Sequence, residues 1–462
     1  MKTLLLVAGM VAIGACGARE GDAAFTPTSD PPGYEYPAAP PIGDGSVDPS
    51  VATAWTRIVE SLRERALDGE AVSRLADAGD ARVAWLVSDA MRFVPPGPDT
   101  DALVEAFVEL TGVDPAADPD FASGAWRSVT NHLIAWDRPA PPDYREQKAE
   151  LFLLVEPHWA PFFADAESAI DWRLVSWGGV LIDERELGDP ESCLRGCIPA
   201  LDDPALTPAD QGDWYPDDAI VFGIVEGDEA VALPRNIMEV HEMVNMTLGG
   251  RRLGIPYCTL CGSAQAYYTD QVPGGFEQPV LRTSGLLSRS NKVMYDLRTR
   301  SVFDTFTGEA LSGPLREAGV VLAQTTVVAS TWAEWRAAHP DTLIVAEDGG
   351  IFRTYPLDPL GGRDDDGPIF PIGPVDPRLP VQAQVVGVVT EQGQALAFPV
   401  DAARAALAEG RSVELGGVEL VGDGGGFRAS AGDSELPTHQ AFWFAWSQFH
   451  RDTAVWSPIG AP

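Results

Sequence analysis

Cationic residues are scarce in this chain: 32 Lys+Arg stand against 68 Asp+Glu in 462 residues, a formal net charge of −36. A chain this acidic repels DNA, RNA and anionic membrane surfaces, which argues against a nucleic-acid partner. The acidic residues are scattered, with a local run only at GGRDDDGP, and read as a solvated surface. Several catalytic signatures are missing. The sequence has no G-x-S-x-G, H-E-x-x-H or P-loop, and no G-x-G-x-x-G in a strand–helix context, so hydrolases of those types and nucleotide enzymes find no support. Long apolar runs are absent too, since no segment is long and apolar enough to span a bilayer. Cysteine is rare at five residues.

One of the five lies in MKTLLLVAGMVAIGACGARE. Lys2 is a short basic region, Leu4 to Ala12 an apolar stretch too short to cross a membrane, and Ile13-Gly14-Ala15 lead into Cys16. Small residues at this distance before a cysteine look like a bacterial lipobox. Residues 1–15 are therefore expected to be a lipoprotein signal peptide, with Cys16 diacylated as a lipid anchor to the membrane. By resemblance to Gram-negative sorting rules, Ala18 in place of Asp directs the protein to the outer membrane, in the cell envelope and facing periplasm or surface. Residues 16–48, rich in Pro, Gly, Ala and acidic side chains, read as a disordered tether. Four cysteines remain, and outside the cytoplasm an even count permits disulfides. Cys193 and Cys197, in CLRGC, suggest a local disulfide or part of a four-cysteine zinc site, the disulfide being simpler.

Residues 49–175 carry a helical period. Trp55, Ile58, Val59 and Leu62 fall on one face, as do Val83, Leu86, Val87 and Ala90 before Pro95-Pro96. TDALVEAFVELTGV and DYREQKAELFLLVEPHWAPFF are further helices of this array, which suits partner binding or stabilisation. His132 and His158, beside Trp and Leu, read as packing residues. From 176 to 462 the pattern becomes short strands broken by Gly, Pro and Asp. The expected class is α+β, a helical array followed by a β-rich domain. Within that domain VFGIVEGDEAVALPRNIMEVHEMVNMTLGGRRLGI repeats in outline as VVGVVTEQGQALAFPVDAARAALAEGRSVELGGVELV. The repeat predicts two related ββαβ units. Only the first copy carries His241, Glu242 and a C-x-x-C, which points to a function added to one copy.

YCTLCGSA resembles a metal knuckle: two thiolates two residues apart chelate one ion, and Gly262 lets the following backbone turn its N–H groups toward sulfur. His241, 17 residues upstream on a predicted helix, is the third ligand expected. Glu242 diverges from His241 by about 100° around a helix and is cast as proton acceptor. Met238, Met243 and Met246 are soft donors, so copper or zinc is the expected metal, although Met238 also fits a packed core. The alternatives are a redox dithiol of Cys258 and Cys261, with Glu242 or His241 taking the proton, and inert cysteines on a non-catalytic scaffold that binds an envelope protein. The metal reading requires His241 within a few Å of a sulfur; otherwise the dithiol reading replaces it. Ser284, Ser290, Asn291, Tyr295 and Asp296 gather around turns, with Asn245 and His450 as further pocket residues. The aromatics of HQAFWFAWSQFHRDT read as core.

The motifs EVHEMVN…LGG…YCTLCGSA, SGLLSRSNKVMYDLRTRSVFDTFTGEALSGPL, TWAEWRAAHPDT, FWFAWSQFHRDT and IPALDDP resemble, in order over about residues 176–456, the prokaryotic domain of unknown function family 3179. The residues matching its hallmark are His241, Glu242, Asn245, Cys258, Cys261, Gly262 and Ser263. Thr259 stands where the family has Pro, Met246 where it has Asp, and Cys197 replaces an Asp of its D-G-I-P lead-in. The resemblance strengthens the site without naming a reaction, and the helical region lies outside it.

Overall fold

The computed structural model describes residues 34–43, 45–189, 193, 196–363 and 367–458, all within one compact unit. The lipobox at Cys16 and the first half of the expected tether lie outside the described residues. Residues 34–43, read above as tether, rest on the helices. The Tyr34 hydroxyl is 3.2 Å from His132 Nε2, and Trp136 Nε1 donates to the Pro37 carbonyl at 2.8 Å. No helix among the described residues is long and apolar enough to cross a membrane.

The apolar periods of the N-terminal region form Ser50–Arg63, Ala84–Met91, Pro98–Thr111 and Tyr144–Val155. Their inward faces meet in one core that includes Trp55, Ile58, Val83, Leu86 and Phe107. Gly69–Ala76 and Ala125–Trp136 are helices the period did not disclose. The second buries His132 among Tyr34, Tyr36, Phe107 and Trp136. His158 does not pack: it lies 2.6 Å from Glu156 and 3.1 Å from Glu184, between two carboxylates.

The β-rich part is not two ββαβ units. It is five small sheets in a propeller-like arrangement, and each repeat copy divides its strands between two of them. In the first copy Ile220–Glu226 and Glu229–Pro234 join one sheet, while Met243–Leu248 and Arg251–Cys258 join another. Gln384–Val389 and Ala395–Pro399 separate from Val413–Leu415 and Val418–Asp423 in the same way.

The true repeating sheet recruits its remaining strands from far along the chain. Val328–Thr331 pairs antiparallel with Ile220–Glu226, and Leu343–Val345 runs parallel to Glu229–Pro234. Thr438–Phe442 and Ala454–Val455 take the same two places in the second sheet. Between each such strand pair lies a helix, Trp332–Ala338 or Trp443–Phe449, that lays one indole on the sheet. The middle of each V-x-G-x-V strand must be glycine for this. A Cβ at Gly223 would stand 2.4 Å from the Trp335 ring, and one at Gly387 2.0 Å from Trp446. Each indole N–H then finds a buried threonine, Trp335 donating to Thr342 Oγ1 at 3.0 Å and Trp446 to Thr453 Oγ1 at 2.9 Å.

Buried charge ties neighbouring sheets together. Arg282, fully buried on Leu281–Ser288, donates to both carboxylate oxygens of Asp202 at 2.9 and 2.7 Å. Asn245 adds a second clamp, donating to Asp202 Oδ1 and the Leu281 carbonyl and accepting from Leu281 N.

Candidate functional site

Helix Arg235–His241 ends where Glu242 turns left-handed at φ 51°, so its N–H closes on the Met238 carbonyl at 2.7 Å. A non-glycine residue held there is strained, a feature that clusters at functional sites. Met243–Leu248 leaves this turn and, after Gly249-Gly250, Arg251–Cys258 returns antiparallel with Met243 opposite Pro256. The returning strand therefore does run back past the helix end. What it meets there is Glu242: Tyr257 N donates to the Glu242 carbonyl at 3.0 Å.

His241 points elsewhere. Its Nδ1 bonds the Pro199 carbonyl and its Nε2 the Tyr355 hydroxyl, both at 2.7 Å. Burial pushes its pKa down to about 4, so the neutral ring, with Nδ1–H donating, fits both partners. Among the described residues, the one cluster of three His, Cys, Asp or Glu ligand atoms is Asp183, Cys193 and Cys197, and those two sulfurs are joined in a disulfide. The His241–Cys258–Cys261 set expected for copper or zinc is therefore not assembled, because both imidazole nitrogens are taken by Pro199 and Tyr355. Met238 and Met246 pack in one apolar cluster and Met243 in another, apart from the cysteine cluster.

Cys258 and Cys261 are both thiols, 1% and 0% exposed. Cys258 precedes a single 3-10 turn, Thr259–Cys261, and Gly262 leaves it at φ 58°. Both sulfurs face the tip of the hairpin formed by Leu281–Ser288 and Asn291–Asp296. Their distances to the Ser290 carbonyl oxygen are 3.8 and 3.5 Å, and Cys261 Sγ also reaches Asn291 Oδ1 at 3.4 Å. The N–H that points at sulfur comes from this hairpin and not from beyond Gly262: Lys292 N donates to Cys258 Sγ at 3.5 Å. Ser263 and Ser290, fully buried beside the thiols, keep hydroxyls without a protein partner.

Lys292 joins the site from outside the residues expected there. Its ammonium is enclosed, donates to the carbonyls of Glu242 and Tyr257, and forms an ion pair with Glu242 Oε2 at 3.5 Å. Burial pushes its pKa down, while the charges of Glu242 and of a Cys258 thiolate push it back up. Thr259 Oγ1 donates to Glu242 Oε1 at 3.2 Å, and Arg363 Nη2 donates to Thr259 Oγ1 at 3.3 Å. The Lys292 ammonium is thus linked through Glu242 and Thr259 to exposed Arg363, while the Lys292 backbone N–H reaches Cys258. A lysine inside the otherwise buried strand Asn291–Asp296 was the signal available for finding it.

The other expected pocket residues do not converge. Ser284 Oγ donates to the Val293 carbonyl at 2.6 Å, the Tyr295 hydroxyl to the Asp183 carbonyl at 2.6 Å, and Asp296 caps its turn through Thr299. His450 packs against Trp446 with ring centroids 4.1 Å apart and the planes tilted by 40°. Only Ser290 and Asn291 of that set touch the thiols.

The arrangement is a propeller-like domain, preceded by helices, that encloses a dithiol beside a buried cation. Residues 195–422 match the family model described as "Protein of unknown function (DUF3179)". That part of the chain belongs to the family its motifs resemble. No curated protein and no solved structure showed a match to the chain.

Proposed function

We propose that this protein is a thiol–disulfide redox protein of the cell envelope, acting through Cys258 and Cys261. The convergence of both sulfurs on one carbonyl, with the Lys292 N–H on Cys258 Sγ and the Lys292 ammonium on the carbonyl of the adjacent Tyr257, is the observation that carries it. In this reading the Cys258 thiolate attacks one sulfur of a substrate disulfide and expels the other as a thiolate. Cys261 then attacks Cys258 Sγ and expels the second substrate thiolate. The pair is oxidised to a Cys258–Cys261 disulfide, the substrate is reduced by two electrons, and the two protons of the dithiol end on the two substrate thiols. Lys292 holds the anionic sulfur, and Glu242 takes and passes its proton.

Both thiols are covered, so the substrate enters only when the cover moves. The cover includes part of the described stretches 346–363 and 367–383, which hold no helix or strand. Ile372, Leu379 and Val381 of the second stretch pack in the same cluster as the two cysteines. Stretches of this length without regular structure are often functional lids.

The test is reduction of a small disulfide by the reduced full chain, followed by acid trapping and mass analysis of the thiols. One Cys258–Cys261 disulfide per turnover is expected. Cys261→Ser should trap a mixed disulfide on Cys258, and Cys258→Ser should abolish turnover. A stoichiometric copper or zinc ion in protein purified from its own compartment, with thiols unreactive toward disulfides, sinks the proposal in favour of metal handling.

The Cys193–Cys197 disulfide suits an oxidising compartment and so supports the envelope location. Anchoring rests on the Ile13-Gly14-Ala15-Cys16 motif alone. Wild-type protein is expected in the detergent phase of a detergent split and Cys16→Ser in the aqueous phase; wild type in the aqueous phase rules the anchor out.

A further inference from the structure

We propose that the cavity between the helical array and the Leu281–Asp296 hairpin binds a free α-amino acid with an apolar side chain. The cavity holds about 260 Å³, with Arg289 of the hairpin tip in its wall. Pockets for drug-sized ligands run from roughly 300 Å³ upward, so the occupant is smaller than those.

Two donors in the wall have no protein acceptor. Trp172, 6% exposed, leaves its indole N–H unmatched, and Arg289 leaves Nε unmatched. Arg289 sits at the hairpin corner with φ 51°, over the Phe449 ring at 5.1 Å; its backbone N–H donates to the Leu174 carbonyl at 2.8 Å, and the hydrogen bond of its guanidinium to the Gln448 carbonyl is long at 3.4 Å. Burial pushes its pKa down. Leaving a buried guanidinium N–H and an indole N–H without acceptors is costly, and a carboxylate satisfies both.

A carboxylate alone does not complete the site. Asp304 and Glu309 also line the cavity, and desolvation pushes the Asp304 pKa up. Asp304 Oδ1 is taken by the N–H groups of Phe306 and Thr307, at 2.7 and 3.0 Å, which leaves Oδ2 for a ligand cation. An ammonium there favours the charged form of Asp304 and balances the carboxylate at Arg289. A zwitterion also enters a protein of net charge −36 without the repulsion an anion meets. The wall also carries Asp171, Ser288, Thr307 and Gln448, and its apolar members Phe162, Leu174, Leu286 and Phe449 are placed to take an aliphatic or aromatic side chain.

The experiment is calorimetric titration of the full chain with L-leucine and L-phenylalanine. The comparison ligands are 4-methylpentanoate, which lacks the ammonium, and isoamylamine, which lacks the carboxylate. One saturable site is expected for at least one amino acid, with both truncated analogues weaker by about tenfold or more. Trp172→Phe keeps the ring and its stacking on Phe163 but removes the N–H, and should weaken binding about tenfold; Arg289→Gln should weaken it at least as much. Absence of binding by both amino acids overturns the inference. So does equal binding of 4-methylpentanoate, which makes the ligand a plain carboxylate. Unchanged affinity in both variants overturns it as well, by placing the ligand elsewhere. The comparison of ligands on wild-type protein stands even if Arg289→Gln fails to fold.

Discussion

Replacing Lys292 by methionine is expected to make the Cys258–Cys261 couple more reducing, by about 30 mV for each tenfold of thiolate stabilisation that is lost. The reasoning is electrostatic. A cation beside a thiolate stabilises the reduced form of a dithiol and raises its potential. Lys292 supplies that cation from a site where water cannot screen it, with its backbone N–H already 3.5 Å from Cys258 Sγ. Methionine has similar bulk and no charge, so the reduced form loses its partner while the packing is kept.

Glu242 competes with the thiolate for the same ammonium through its ion pair at 3.5 Å. Glu242→Gln is therefore expected to shift the potential the other way. Equilibration against glutathione or dithiothreitol buffers, with acid quenching and alkylation, reads both. Because this is an equilibrium measurement, the enclosure of the thiols does not distort it. Shifts of the same sign in both variants, or no shift in either, would mean that Lys292 is only a structural cation.

The second large effect is acid sensitivity well above the carboxylate range. Burial pushes His241 and His450 down to about 4 and His439 down to about 3, the last with help from His450. All three lie below the unfolded value of about 6.5. Between the folded and unfolded values the unfolded chain binds more protons, so stability is fully present above pH 6.5 and falls as the pH drops toward 4. Each histidine contributes a slope of about 1.4 kcal/mol per pH unit in that window. For His241, 1% exposed, the whole loss is about 3 kcal/mol.

The local geometry gives the reason at His439. Gln265 Nε2 lies 3.5 Å from His439 Nε2 and donates to it, a bond that only the neutral ring accepts. Urea midpoints should fall steeply from pH 7 to 5, and His439→Gln, which keeps an acceptor, should flatten the curve by about one proton's worth. A midpoint that stays level over that range contradicts the assignment. Relief of repulsion among the carboxylates acts in the opposite direction at the acid end, so the variant comparison is the decisive reading.

The local chemistry of the candidate site was legible. The C-x-x-C turn, the Gly249-Gly250 reversal and the return of an eight-residue strand past the helix end all follow from residue type and spacing. The residue delivered to the turn was not. His241 and Glu242 are adjacent, and which one faces the returning strand depends on the left-handed turn at Glu242 and on Pro199 and Tyr355 drawing the imidazole away. Lys292 was invisible as a partner because it comes from another sheet, 34 residues beyond Cys258.

Composition and period by themselves determined the helical faces around Trp55 and Leu86, the repeat, and the cysteine turn, since each rests on interactions between near neighbours in the chain. Tertiary structure alone decided how the strands were shared among five sheets, because a hairpin's hydrogen bonds are local but its second edge is filled by whatever strand folds against it. Val328–Thr331 and Thr438–Phe442 fill those edges here, each docking with a Trp-bearing helix over Gly223 or Gly387. The same holds for the site. Two thiols close in sequence need only a turn to meet, but their cation, carboxylate and cover arrive from three separate segments, and only packing the whole chain brings them together.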